Sequence, residues 1–191
     1  VNLGRFIIAS YAAIIVMFIV HFVLLVWVKV SPSEFLSKAW STLLFAFTSR
    51  TSAGTLPMNV ETQIQKFSVN EAVANFSASF GLSIGQNGCA GIYPAMLATI
   101  VAPTVGINIF SIEFILSLIA IVTISSLGVA GVGGGATFAS LIVLSSMNLP
   151  IAIVGLVISV EPLIDMARTA LNVSDAMVAG IVTDRLIKKQ A

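Results

Sequence analysis

Four side chains near the end of this 191-residue chain could do chemistry together: Glu161, Asp165, Arg168 and Asn172. They fall at intervals of four, three and four, which on a helix places all four on one stripe. The residues around them are apolar enough to cross a bilayer. A charge at membrane depth costs about 3 kcal/mol on insertion scales, so three ionisable groups on one stripe require a polar interior to face. Such a stripe most often lines a substrate or ion path. Asp165 and Arg168 as a mutually neutralising pair would be the structural alternative, but that pair leaves Glu161 and Asn172 unexplained and is itself costly to desolvate.

The elements that must position this stripe are membrane elements. The chain is 58% hydrophobic and only 9% charged, against about 25% charged in a soluble domain, and its mean hydropathy is +1.06. A net charge of +1 gives no reason to expect nucleic acid, and a single cysteine, Cys89, excludes an internal disulfide. The chain opens on Val1 without an initiator Met or a signal-peptide pattern, so it reads as part of a longer protein.

Phe6 to Val28 is the clearest span, 23 residues without a formal charge, about 35 Å as a helix. With its anchor at Trp27 and Lys29 it is read as a transmembrane helix over 6–30. His21 lies within it and reads first as hydrogen-bonded packing, with a proton role as the alternative. Residues 31–66 follow as two half-length helices: Ser31-Pro32-Ser33-Glu34 starts the first, and Thr48 to Pro57 forms a hydroxyl-rich tip holding Arg50. Two half-helices around a polar tip predict a re-entrant hairpin.

Residues 71–105 predict a transmembrane helix broken at Gly85-Gln86-Asn87-Gly88-Cys89-Ala90-Gly91, because three glycines and two amides make poor helix interior. Residues 111–149 repeat the hairpin plan around a small-residue tip at 125–135. The polar-striped helix is read as continuous from Pro150, over 150–185. A hairpin followed by a functional helix thus occurs twice, and the two units should enter from opposite faces, as in the inverted repeats of transporters. Lys29, Lys38, Lys66, Arg185, Lys188 and Lys189 share one side, which the positive-inside rule makes cytoplasmic, the C-terminus included. The second hairpin, with Glu113 at its base, would open outward. The predicted fold class is therefore all-α integral membrane, with two re-entrant hairpins and broken or polar spans in an inverted repeat.

Several motifs fail on context. Gly81-Leu82-Ser83-Ile84-Gly85 matches the serine-hydrolase elbow but lacks its strand-turn-helix setting, and reads better as a GxxxG close-packing surface. Gly131 to Ala136 matches a dinucleotide fingerprint without the strand that must precede it. No cluster has metal-site spacing.

Four runs in order carry a resemblance: Ser49-Arg50-Thr51-Ser52-Ala53-Gly54-Thr55-Leu56-Pro57, Asn87-Gly88-Cys89-Ala90-Gly91, Ala130-Gly131-Val132-Gly133-Gly134-Gly135, and Asp165-Met166-Ala167-Arg168-Thr169-Ala170-Leu171-Asn172-Val173. Together they resemble the dicarboxylate/amino acid:cation symporter family, the glutamate-transporter homologues, and the 85–94 run looks most like its bacterial L-cystine branch. The resemblance implies that residues 1–191 are the C-terminal transport domain of an elevator carrier in the cell membrane. It further implies a homotrimer assembled through N-terminal scaffold helices absent from this chain, with the second hairpin as extracellular gate.

By that resemblance Asp165 holds the substrate amino group, Arg168 reads a distal carboxylate, and Asn172 lies near the α-carboxylate. The tips Ser49, Arg50, Thr51, Ser52 and Ala130, Gly131, Val132, Gly133 hold that carboxylate, with Cys89 and Gly91 from the broken helix lining the same site. Backbone N–H groups at half-helix N-termini suit a carboxylate, and arginine offers a bidentate fork. Arg50 either meets the second carboxylate of cystine or stabilises the empty carrier. Two positions depart from the family pattern: sodium-binding aspartates of the glutamate-type members are replaced here by Cys89 and Ala176. A site stripped of carboxylates holds a hard cation poorly. Proton coupling is therefore expected, through Glu161 first and Asp175 second, with sodium coupling to a dicarboxylate as the rival. Neither an organic cofactor nor a bound metal is expected.

Overall fold

The computed structural model describes residues 3–129, 131 and 133–190; the predicted tip residues Ala130 and Val132 lie outside that set. All its regular elements are helical: α1 (Leu3–Trp27), α2 (Pro32–Ser49), α3 (Ser52–Phe67), α4 (Glu71–Ser83), a π-helical turn (Asn87–Ile92), α5 (Tyr93–Val101), a 3-10 turn (Ala102–Val105), α6 (Ile112–Ser126), α7 (Gly135–Ser146), α8 (Ala152–Val157) and α9 (Glu161–Gln190). The all-α reading holds. By length and apolar composition, Leu3–Trp27 and the Glu71–Val105 segment could each cross a membrane.

The helix ends have local causes. The Ser31 hydroxyl accepts from the Glu34 N–H to start α2, and Pro32 fits the first turn because its missing N–H would have no helical partner there. Arg50 closes α2 in the left-handed region, at φ 55°, with its N–H on the Ala46 carbonyl. One residue later the Thr51 hydroxyl accepts from the Gly54 N–H and starts α3. Lys29, at φ 63°, ends α1 similarly, and the Val30 N–H returns to the Leu25 carbonyl.

Helices α2 and α3 form an antiparallel hairpin. The Thr42 and Thr62 hydroxyls meet at 2.7 Å, Lys66 Nζ donates to the Lys38 carbonyl, and the Phe35 and Phe67 rings pack with centroids 5.8 Å apart. Helices α6 and α7 form a second hairpin, whose base brings Ser111, Glu113 and Ser117 beside Ser146 and Asn148. Helix α7 also packs along α5.

The polar stripe belongs to the hub of the molecule. Helix α9 packs against α1, α2, α3, α4 and the π-helical turn. Its Ile164, Ala167 and Leu171 join a core with α1, α5 and α7; its Val173, Met177, Val178 and Ile181 join a second core with α2 and α3. Asn172, Ser174 and Asp175 lie where the two cores meet. Small residues set the close approaches: a Cβ on Gly81 would come within 2.8 Å of the Ala176 methyl, so Gly81 lets α4 pack closely on α9, whereas a Cβ on Gly85, past the end of α4, would meet the backbone of Gly81.

The final polar segment differs from its sequence reading. In place of one helix from Pro150, α8 and α9 are separate, with turns at 158–160. Pro162 is the reason: it has no N–H to offer the Ile158 carbonyl, and the chain there closes tight turns, Val160 N–H to Val157 and Leu163 N–H to Val160. Glu161 thereby becomes the first residue of α9, where a carboxylate suits the helix dipole. At its other end α9 runs on to Gln190.

Candidate functional site

The site is assembled from both hairpin tips, the break after α4 and the first half of α9. Arg168 is its centre and is completely buried. Its Nη2 donates to Glu161 Oε1 at 2.7 Å and to Asp165 Oδ1 at 3.1 Å. Its guanidinium carbon lies 4.2 Å from the Tyr93 ring centre, a cation–π stack. Arg50 reaches from the first tip, its Nε 3.5 Å from Asp165 Oδ2. Two acids thus face two guanidiniums, which offsets much of the desolvation penalty of burying them. Yet Arg168 Nε and Nη1 are buried with no hydrogen-bond partner among the described residues. Buried donors of a charged group left unmade are costly, and a carboxylate is the group that would satisfy them.

One turn further, Asn172 ties α9 to the break. Its Oδ1 accepts the Gly88 N–H at 2.7 Å; its Nδ2 lies 3.0 Å from Gln86 Oε1 and 3.1 Å from Cys89 Sγ. Gly88 permits this approach, since a Cβ there would stand about 3.0 Å from the Arg168 backbone. Gln86 Oε1 also accepts from the Ser52 hydroxyl at 3.3 Å, while its Nε2 donates to the Gly81 carbonyl. The second tip closes on the same point: the Gly131 N–H donates to the Leu82 carbonyl at 2.9 Å, and the Ala53 N–H donates to the Gly131 carbonyl at 3.2 Å. The void among Ser52, Asn59, Gln86, Asn172 and Ala176 is about 10 Å³, room for no more than one water.

The structure therefore brings Arg50, Ser52, Gly131, Cys89, Asp165, Arg168, Asn172 and Glu161 into one neighbourhood. Ser49, at the end of α2, and Gly133 are exposed; Thr51 is the α3 cap; Gly91 lies in the π-helical turn with its Cα close to the Asn87 side chain. Asp175 belongs elsewhere. It pairs with His21 of α1, Nε2 to Oδ1 at 2.5 Å, and His21 Nδ1 lies 3.0 Å from the Ser174 hydroxyl. The packing expected of His21 is real, but its partner is a carboxylate 154 positions away. Ser83 is exposed, its hydroxyl on the Ser79 carbonyl.

Two residues of the site escaped the sequence reading. Gln86 stood inside the recognised break, where being one of two amides among the glycines was its only signal. Tyr93 carried none, because stacking on Arg168 depends on how α5 meets α9.

Two half-helix tips closed over a broken helix and a charged stripe define the core of a helical membrane carrier. The chain belongs to the sodium:dicarboxylate symporter family, whose family model matches residues 1–186. It is 62% identical over 189 residues to an uncharacterized symporter of Haemophilus influenzae, covering 99% of this chain and 43% of that protein. It is 64% identical over 184 residues to the L-cystine uptake protein TcyP of Bacillus cereus, covering 96% and 40%. With TcyP of Bacillus licheniformis it shares 62% over 185 residues, covering 97% and 40%. The chain spans about two-fifths of the length of these curated relatives. The family and these relatives are named for transport.

Proposed function

We propose that this chain is the substrate-carrying part of a symporter that takes up L-cystine or a similar bulky amino acid. The observation that carries the reading is Arg168: fully buried, held by Glu161 and Asp165, and with two nitrogens, Nε and Nη1, left without a hydrogen-bond partner among the described residues. A zwitterion suits that setting. Its ammonium would replace Arg50 on Asp165, its α-carboxylate would take the N–H groups of the two tips, and Asn172 would turn toward it. The second carboxylate of cystine would reach Arg168, with Arg50 swinging to assist. The relatives named for L-cystine uptake, and carboxylate-free side chains at Cys89 and Ala176, favour this over a sodium-driven carrier of dicarboxylates.

In this reading the domain rides as an elevator within a homotrimer in the cytoplasmic membrane. Its C-terminus is cytoplasmic, the two hairpins are re-entrant, and the second is the extracellular gate. The seat of the second tip supports gating, because the Gly131 bonds to Leu82 and Ala53 would have to part for that tip to withdraw. Coupling is to protons, with Glu161 and Asp175 as the candidate carriers. The test is uptake of labelled L-cystine into liposomes holding the protein, with a pH gradient and no sodium. Saturable uptake that excess aspartate fails to displace is expected. A strict sodium requirement with aspartate as the better competitor would establish the rival.

A further inference from the structure

Three groups outside the Arg168 cluster form an arrangement that substrate binding does not explain. Asp175 is seven residues past Arg168 on α9, about 10 Å along the helix. It is largely buried, and its Oδ2 has no hydrogen-bond partner among the described residues. Asp175 also lines a cleft of about 610 Å³ bounded by α4, the π-helical turn, α6 and α9, with Asn87, Phe80 and Val122. Its other oxygen takes His21 Nε2, and His21, 2% exposed, has Nδ1 on Ser174.

The remaining charged side chains on the elements packed against α9 are engaged elsewhere or exposed. Glu34 pairs with Lys38, and Lys66 binds the Lys38 carbonyl. Glu61 and Glu71 are exposed, and Asp184 pairs with Lys188. Glu161 and Asp165 are taken by Arg168, and exposed Arg5 lies sixteen residues before His21 in α1, about 24 Å along the helix.

We infer that His21, Ser174 and Asp175 together are the binding site of the coupling proton, with Asp175 reached through the cleft and Glu161 reserved for Arg168. This rests on the proton-coupled reading above. The chemistry is a simple addition. In the unloaded state His21 is neutral: Nε2–H donates to Asp175, and the Ser174 O–H donates to Nδ1. A proton arriving from the cleft is taken first by the Asp175 carboxylate; it passes to the imidazole when the ring turns its bare nitrogen to that carboxyl, after which both ring nitrogens carry a proton and the Ser174 hydroxyl rotates to accept. No hydrogen bond is lost in either state, and histidine is the side chain suited to change charge in the neutral range.

The charge count supplies the reason for coupling. Glu161 and Asp165 are balanced by Arg168 and Arg50, so Asp175 is the surplus buried charge of this region. One proton on the His21–Asp175 pair removes it, and a zwitterionic substrate adds nothing net. Only the proton-loaded domain then crosses the low-dielectric region without a net charge. The two sites communicate through adjacent residues: Gln86 binds Asn172 and the first tip, while Asn87 lines the Asp175 cleft.

The experiment uses the protein in liposomes with labelled L-cystine, read two ways: accumulation driven by an inside-alkaline pH gradient, and cystine-for-cystine exchange without a gradient. Wild type is expected to do both and to take up one proton per cystine in weakly buffered medium. Asp175→Asn is expected to exchange measurably while gradient-driven accumulation falls to the no-gradient level. Ser174→Ala removes an acceptor that matters more to the charged imidazole than to the neutral one. It should move the pH of half-maximal accumulation down by about 0.5–1 unit. Gradient-driven accumulation surviving in Asp175→Asn, an unmoved midpoint in Ser174→Ala, or accumulation lost in Glu161→Gln but not in Asp175→Asn would each overturn the assignment. Failure of wild type to exchange cystine would instead overturn the substrate reading beneath it, and sodium-driven accumulation indifferent to pH would overturn proton coupling altogether.

Discussion

The two hairpins share a plan but are held differently. In the α2–α3 hairpin both tip-side helix ends are closed, by Arg50 in the left-handed region and by the Thr51 cap. Its arms are tied by the Thr42–Thr62 contact and by Lys66 on the Lys38 carbonyl, and both arms pack against α9. In the α6–α7 hairpin, α7 begins at Gly134, φ 86°, with no side-chain cap, and α6 buries only Phe114 and Ser125. Its Ile115, Leu116, Ile119 and Ile124 are exposed. Two backbone hydrogen bonds at Gly131 hold this tip to Leu82 and Ala53. A tip held by N–H and C=O groups can exchange those bonds for a ligand's at little cost, whereas a tip held by caps and a packed face cannot. Under the proposed gate, this difference suits the first hairpin to be the fixed wall of the site and the second to be the moving one.

The largest expected effect removes what lies beneath both tips. Arg168→Ala leaves Glu161 and Asp165 facing each other without a cation, a change that costs about 3–5 kcal/mol when one partner of a buried pair is lost. Thermal unfolding in detergent should show it, and L-cystine binding should fall more than about 100-fold, as about 3 kcal/mol implies. Arg168→Lys should recover little, since an ammonium cannot serve two carboxylates, stack on Tyr93 and keep further donors free for a ligand. Retained binding in Arg168→Ala would remove the reason for calling this the substrate site.

The second effect concerns the moving tip alone. A Cβ on Gly131 would come within 2.6 Å of Leu82 Cδ1 and 2.8 Å of Gln86 Oε1. Overpacking of that kind costs about 1–3 kcal/mol, here paid by the closed state. Gly131→Ala should weaken L-cystine binding by roughly tenfold or more, by the usual conversion, while leaving the melting temperature within a few degrees. An equal drop in stability would show that the second tip is as structural as the first.

What the sequence disclosed divides along the same line. Caps, breaks and stripes are local, so Ser31-Pro32, the 85–91 break and the Glu161-to-Asn172 spacing could be read directly. Contacts between distant elements could not. The Tyr93 stack and the His21–Asp175 pair each join helices far apart in sequence, and nothing in either local pattern names the partner. The split between α8 and α9 was legible in principle: Pro162 can donate no N–H, but an apolar run on both sides hid the break. Composition marked the small-residue tip at 125–135, and the resemblance narrowed it to Ala130–Gly133; of its described residues Gly131 joins the site while Gly133 stays exposed.

The first hairpin offers the converse test. Thr42→Val removes one of two hydroxyls that meet in a buried setting and strands the other, at a cost of about 1–3 kcal/mol. The double change Thr42→Val with Thr62→Val takes away both polar groups and should recover most of that loss, as measured by denaturation in detergent. L-cystine affinity should stay within about twofold in the double variant, because the fixed wall is rebuilt and not moved. A large affinity loss despite recovered stability would mean that this hairpin moves too.

The smallest effect is expected two residues from the most sensitive glycine. Gly133 is exposed, and a Cβ there would meet nothing within 4 Å among the described residues. Gly133→Ala should therefore change stability by less than about 0.5 kcal/mol and L-cystine binding by less than about threefold. The contrast with Gly131→Ala is what isolates packing against Leu82 and Gln86 from a general stiffening of the glycine run, since alanine restricts the unfolded and open chain equally at both positions. Similar losses at the two sites would mean that flexibility of the whole tip, and not its seat on the broken helix, governs closure.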